Sequence, residues 1–314
     1  MNSGLILRRI GGGLLVLWMV SLLAFALIQL LPGDAAQVIA GEYATVEDVE
    51  RIRHELGFDL PLLEQYGRWL GQVLSGDFGT SLHSGRSVVS LIAEAAPATL
   101  SLTALAIVIA VLVGVTSGLI AAVRQGSRLD RGITMLATLG IAMPSFWVLM
   151  LLLLPFTVMN RVLPATGYAP ISDGVGPWLS HIILPATALG LATGAELARH
   201  TRGCVADVLA RPYIRTARAR GATGSWLVRR HVLRNSAIPV VTVLGLQVGR
   251  LLGGSIVVES VAGIAGLGTL AIQSILQRDY VTIQGYVLFS AIIVVVANLA
   301  VDLLYGWINP KVRA

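Results

Sequence analysis

The sequence is dominated by apolar blocks that are too long for the interior of a water-soluble domain. They run Ile10–Leu31, Pro97–Val123, Ile133–Met159, Ile182–Cys204, Ile238–Val258 and Gln284–Ile308. A helix rises about 1.5 Å per residue, so roughly 20 apolar residues cross a hydrocarbon layer of about 30 Å. Only 13% of the 314 residues are charged and 55% are hydrophobic, with a mean hydropathy of +0.78. Soluble domains carry roughly 25% charged residues, so this chain lacks the polar groups to coat a water-facing surface. An all-α integral membrane protein with about six transmembrane helices in one domain is expected. The block Ile182–Cys204 is the weakest candidate, because it holds Glu196 and the small residues Gly190, Gly194 and Ala198 where the others hold Leu and Val.

Arg8 and Arg9 ahead of an apolar run resemble a signal peptide, but Ile10–Leu31 exceeds an h-region of about 7–15 residues. It reads as an uncleaved first span. Placing the N-terminus in the cytoplasm puts Arg124, Arg128, Arg131, the arginines from Arg199 to Arg234, Lys311 and Arg313 inside, and leaves only Arg51, Arg53, Arg68, Arg86, Arg161 and Arg278 outside. That sorting obeys the positive-inside bias and accounts for the net charge of +6 without nucleic acid as a partner. An even number of crossings returns the C-terminus to the cytoplasm.

The outer segment 32–96 is acidic and too long for a bare loop. Thr45 with Asp48 is a capping-box signal for a helix carrying Val46, Val49, Ile52 and Leu56, which Gly57 would end. Leu62, Tyr66, Trp69, Leu70 and Val73 form a second apolar stripe. Two readings stand: helices lying on the outer membrane face, with Tyr66 and Trp69 as interfacial aromatics, or a small folded cap with no partner.

Catalytic signatures fail. Lys311 is the only lysine, so no phosphate-cradling G-x-x-x-x-G-K-[ST] loop exists and the chain cannot hydrolyse ATP by that route. His54-Glu55 lacks the second histidine of a zinc-binding helix, and the other histidines are scattered, so no metal ligand set emerges. Cys204 stands alone, which rules out an internal disulfide.

The most informative stretch, Arg211–Pro239, reads RPYIRTARARGATGSWLVRRHVLRNSAIP. Ile214 and Ala217 suggest a short helix, Gly221 and Gly224 a break, and Leu227, Val228, His231 and Val232 a second short helix leading to Pro239. Such a compact basic element either docks on a partner or lies on anionic lipid headgroups.

This stretch resembles the cytoplasmic loop of ATP-binding-cassette importer permeases, whose pattern is Glu-Ala-Ala, three residues, then Gly. Here the run is Arg215-Thr216-Ala217-Arg218-Ala219-Arg220-Gly221, with Arg and Thr in place of Glu and Ala. Followed by Arg230-His231-Val232-Leu233-Arg234-Asn235 and Ile238-Pro239, it is similar to the dipeptide, oligopeptide and nickel branch. The likeness extends through Leu31-Pro32-Gly33-Asp34, Gly76-Asp77-Phe78-Gly79-Thr80-Ser81, Met143-Pro144-Ser145-Phe146-Trp147, Leu163–Tyr168, Glu259-Ser260-Val261 and Arg278-Asp279-Tyr280. Gly266-Leu267-Gly268 also fits, but Ala265 stands where the branch usually has Pro.

The resemblance implies a type I importer permease in a bacterial or archaeal plasma membrane, both termini inside. It implies a second permease, expected to be a different chain, two separate subunits that bind ATP and magnesium, and an extracytoplasmic binding protein delivering di- or oligopeptides. Nickel chelates, glutathione or haem are the alternative cargo on the same architecture. Segment 205–237 would couple to the ATPase, with Arg215–Gly221 as the seated helix.

Among intramembrane charges, Arg250, Glu196 and Glu259 are candidates for the translocation path: Arg250 either lines it and meets a substrate carboxylate or pairs with an acid such as Glu196 to fix helix packing, while simple hydration is the favoured reading of Glu259 and Asp302, near span ends. Gly245, Gly249 and Gly253 share one face of the fifth block and suggest close packing against the partner permease, with a smooth pathway wall as the alternative. Met143-Pro144-Ser145 suggests a kink in the third. A secondary transporter or channel would instead show paired ionisable groups at mid-membrane and needs no docking helix.

Overall fold

A computed structural model describes residues 3–29, 36–37, 44–57, 59–222 and 224–308. Leu30 and Leu31 of the first expected span, the Leu31–Asp34 motif, Phe58 and the terminal Lys311 and Arg313 lie outside the described residues. The helices are α1 Ser3–Gln29, α2 Val46–Leu56, α3 Leu62–Leu74, α4 Val88–Val123, α5 Arg128–Ala142, α6 Ser145–Leu153, α7 Val175–Leu209, α8 Pro212–Ala219, α9 Gly224–Leu227, α10 Leu233–Ala262, α11 Leu267–Leu276 and α12 Tyr280–Ile308. Among the described residues, five stretches are long and apolar enough to cross a membrane: Leu7–Gln29, Val88–Val123, Val175–Leu209, Val240–Ala262 and Tyr280–Leu303. The pair α5 and α6 makes a sixth if counted as one span.

That pair departs from the expected single kinked span, because its halves meet at 102°. Pro144 has no N–H to continue the ladder and forces its predecessor out of helical geometry; Met143 is extended at φ −85°, ψ 127°. The other membrane helices begin before their apolar blocks do. The helix α4 has 36 residues, about 54 Å, so it starts well before the Pro97 expected to open it and carries that proline inside.

The chain divides into two compact units. The first comprises Met1–Ile6, Pro97–Thr269 and Val296–Ala314. Its core gathers Leu102, Leu149, Leu184, Leu189, Leu251, Val258 and Ile264. Here α4 and α7 meet backbone to backbone: a Cβ on Gly114 would fall 2.6 Å from the Gly194 carbonyl oxygen, and one on Gly190 would fall 2.8 Å from that of Ala106. The small residues that made α7 look weak as a span are what admit α4. Gly245 is close-packed too, with a Cβ there reaching 2.9 Å from Val301 Cγ1.

The second unit comprises Leu7–Ala96 and Leu270–Val295. The capping box expected at Thr45 forms, with Asp48 N donating to Thr45 Oγ1 at 3.2 Å, and Gly57 ends α2 at φ 70°. The Thr45 hydroxyl and the Arg51 guanidinium hold the Asp48 carboxyl below its ordinary range. Tyr66 and Trp69 find partners inside the chain: the Tyr66 hydroxyl lies 2.8 Å from Ser21 Oγ, and both rings pack on Phe25 at 5.5 and 5.8 Å. Asp279 joins two of the motifs. It takes Ser81 Oγ at 2.5 Å, Leu82 N at 3.2 Å and Thr282 Oγ1 at 2.7 Å, so one buried carboxylate caps α12 and pins the loop after Gly79.

Candidate functional site

The basic bend is built on a short helix with one buried anchor. Pro212 opens α8, where a missing N–H costs nothing. Ile214 is buried among Ala122, Val205, Val208, Leu227 and Val232. Arg211, Arg215, Arg218 and Arg220 are exposed. The helix closes on Gly221, at φ 87°: Ala222 N donates to Ala217 O at 3.0 Å and Gly221 N to Arg218 O at 2.9 Å. This bond pair is a Schellman closure, whose left-handed position favours glycine. Beside it lies a hollow of about 630 Å³ lined by Tyr213, Thr216, Ala217, Arg220, Gly221, Ala222 and Trp226. Tyr213 and Trp226, both exposed, were not singled out by sequence; an aromatic left exposed in a basic segment was the available signal. The second short helix expected before Pro239 is instead α9 and a π turn, Val228–Val232, merging into α10. The backbone stays helical through Pro239.

Above the bend an ion pair ties α5 to α7. Asp130, 3% exposed, accepts Arg202 Nε at 2.6 Å and Nη2 at 2.9 Å, and Gly126 N at 2.9 Å. Ser127 caps the same helix through Asp130 N. Sequence reasoning missed Asp130, because its partner is 72 positions away.

The structure separates the intramembrane charges. Arg250 Nη1 donates to both Glu196 oxygens, at 2.9 and 3.0 Å. Buried Gln247 hydrogen-bonds the same carboxylate, and His200 Nε2 lies 4.0 Å from it. A charge at the bilayer centre costs about 2.5–3.5 kcal/mol by insertion scales, so the pairing answers a real penalty. Asp302 is half-buried. Glu259 corrects the expectation of a hydrated span end: it is 0% exposed. Its Oε1 accepts Thr99 Oγ1 at 2.7 Å, and its Oε2 accepts Gly268 N at 2.8 Å and Thr269 N at 3.2 Å. Thr99 Oγ1 in turn accepts Leu267 N at 2.8 Å. The carboxylate caps α11, which satisfies orphan donors and suits the helix dipole. The motif glycines leave room for it: a Cβ on Gly266 would lie 2.5 Å from Glu259 Oε2, and one on Gly268 2.6 Å from Ile256 Cα. Of the glycine stripe, Gly245 is packed and Gly249 half-buried, while a Cβ on Gly253 would meet nothing within 4 Å.

Two family descriptions match the chain. "Binding-protein-dependent transport system inner membrane component" covers residues 114–314, and its N-terminal companion covers 3–103. The chain is 41% identical to a peptide transport system permease protein of Brucella melitensis, over 100% of this chain and 99% of that one. It is 42% identical to the glutathione transport system permease protein GsiC of Escherichia coli strain K12, over 98% of each. Among solved structures, the inward-facing MetNI methionine ABC transporter aligns with a TM-score of 0.58 at 19% identity, over 70% of this chain and 96% of that one; it shares the fold. With full-length relatives and a family model over most of its residues, this multi-pass chain belongs to the binding-protein-dependent transport system inner membrane components, the permeases of ATP-binding-cassette importers.

Proposed function

We propose that this chain is the permease subunit that carries di- or oligopeptides, handed over by an extracytoplasmic binding protein, across the inner membrane on energy supplied by two separate ATP-binding subunits. The observation that carries the coupling role is the α8 bend: one face anchored by Ile214, the other presenting Arg215, Arg218 and Arg220 beside an open hollow. A helix rigidly held on one side and open on the other suits transmission of motion from a closing motor. Magnesium and ATP belong to those partner subunits. Residues 1–314 act as one permease domain, with segment 32–96 outside, segment 205–237 and both termini inside, and a second, different permease completing the path. Gly253 is free to face that second permease, and Arg250 with Glu196 lies along the path. Glu259 is spent on its cap and takes no part there.

Glutathione, itself a peptide, is a second cargo reading, favoured by the likeness to GsiC at 42% identity. Vesicles holding both permeases and both ATP-binding subunits, supplied with binding protein, test the reading. Peptide with binding protein should stimulate ATP hydrolysis and uptake, and competition between a dipeptide and glutathione ranks the cargo. Gly221→Pro should abolish uptake with the chain still inserted, since proline cannot take the left-handed turn that closes α8. Uptake by the chain alone, with no motor present, would refute the proposal.

A further inference from the structure

On α10, Leu246, Arg250, Gly253 and Val257 recur at helical spacing and share one face. The described residues leave that face open. Leu246 is 67% and Val257 47% exposed, a Cβ on Gly253 would meet nothing within 4 Å, and the Arg250 side chain is 68% exposed. Arg250 stands near the middle of the apolar stretch Val240–Ala262. A guanidinium turned to hydrocarbon at that depth is strongly disfavoured, so such residues face a bundle interior or a water-filled cavity. A lipid-facing role for this stripe is therefore excluded by its own charge.

The guanidinium is only half used. Its bonds to Glu196 both run from Nη1, and Nε and Nη2 have no partner among the described residues. Arginine's planar fork matches a carboxylate with two parallel bonds. Among the described residues, the charged groups around it are Glu196 and, beyond that carboxylate, His200. We propose that Arg250 receives the C-terminal carboxylate of the peptide during passage, with Glu196 holding the guanidinium when the path is empty. This rests on the peptide-import reading above. A bare arginine in an apolar path would trap an anion. An arginine already neutralised by Glu196 gives a site strong enough to enter and weak enough to leave, which a conduction path requires.

The experiment uses the complete transporter in vesicles with saturating binding protein. It compares a dipeptide bearing a free C-terminus with the same dipeptide amidated there, each with the wild type, Arg250→Gln, Arg250→Lys and Glu196→Gln. Reading the ratio of the two uptakes between variants cancels any preference of the binding protein. Arg250→Gln should lower uptake of the free acid about tenfold, as expected for loss of a charged hydrogen-bonded pair, and leave the amide within about twofold. Arg250→Lys should restore part of the preference. Glu196→Gln should lower KM for the free acid and also its maximal rate, because release slows. Equal losses for acid and amide in Arg250→Gln, or no change in their ratio, would overturn the proposal. A wild-type complex that moves neither peptide, with motor and binding protein active, would overturn the import reading itself and this proposal with it.

Discussion

Glu259 and Glu196 are both acids in the membrane region, and their surroundings are opposite. Glu259 is wholly enclosed, with both oxygens committed to Thr99, Gly268 and Thr269. Glu196 is partly open and holds an arginine whose side chain is mostly exposed. A carboxylate whose acceptors are all filled by backbone and hydroxyl donors fixes a fold, whereas an ion pair left half-satisfied on an uncovered helix face can exchange partners. Asp130 stands with Glu259: enclosed, gripped by both arms of Arg202 and by Gly126 N.

Three substitutions probe that contrast. Glu259→Ala strands the donors at the start of α11 and should destabilise the chain by about 3 kcal/mol, read as a lowered unfolding midpoint in detergent. An unchanged midpoint would break the distinction drawn here. Asp130→Asn removes the charge facing Arg202; since that arginine is part-exposed, the expected loss is about 2 kcal/mol, below that for a fully buried pair. On the proposed path, which admits water to the pair, Arg250→Gln should cost less than about 1 kcal/mol, so its uptake defect should appear with the midpoint nearly intact. A loss as large as that of Glu259→Ala would make Arg250 a structural residue.

How far each feature was legible follows the range of the interaction behind it. The capping box of Thr45 and Asp48, the stop at Gly57 and the closure at Gly221 are settled within a few residues, and all three appear where the sequence places them. Tyr66 and Trp69 read as interfacial rings because an aromatic ring is apolar with one polar tip; that Phe25 and Ser21 of α1 lie against them is not visible in their own segment. Glu259 looked hydrated because it lies near a span end. Only the return of α11 onto it, with Thr99 from a distant helix, closes it off.

By itself the chain's order of residues determined which stretches form apolar helices, that the chain breaks at Pro144, and that arginines gather on a bend closed by Gly221. These follow from backbone hydrogen bonding and from the free energy of placing a side chain in hydrocarbon, both properties of a residue and its near neighbours. Tertiary structure decided which charges are consumed and which are left open, how sharply the chain turns at Pro144, and that Gly114 and Gly190 admit a neighbouring backbone. Those outcomes depend on what an unrelated segment brings within a few ångströms, and no local pattern encodes that.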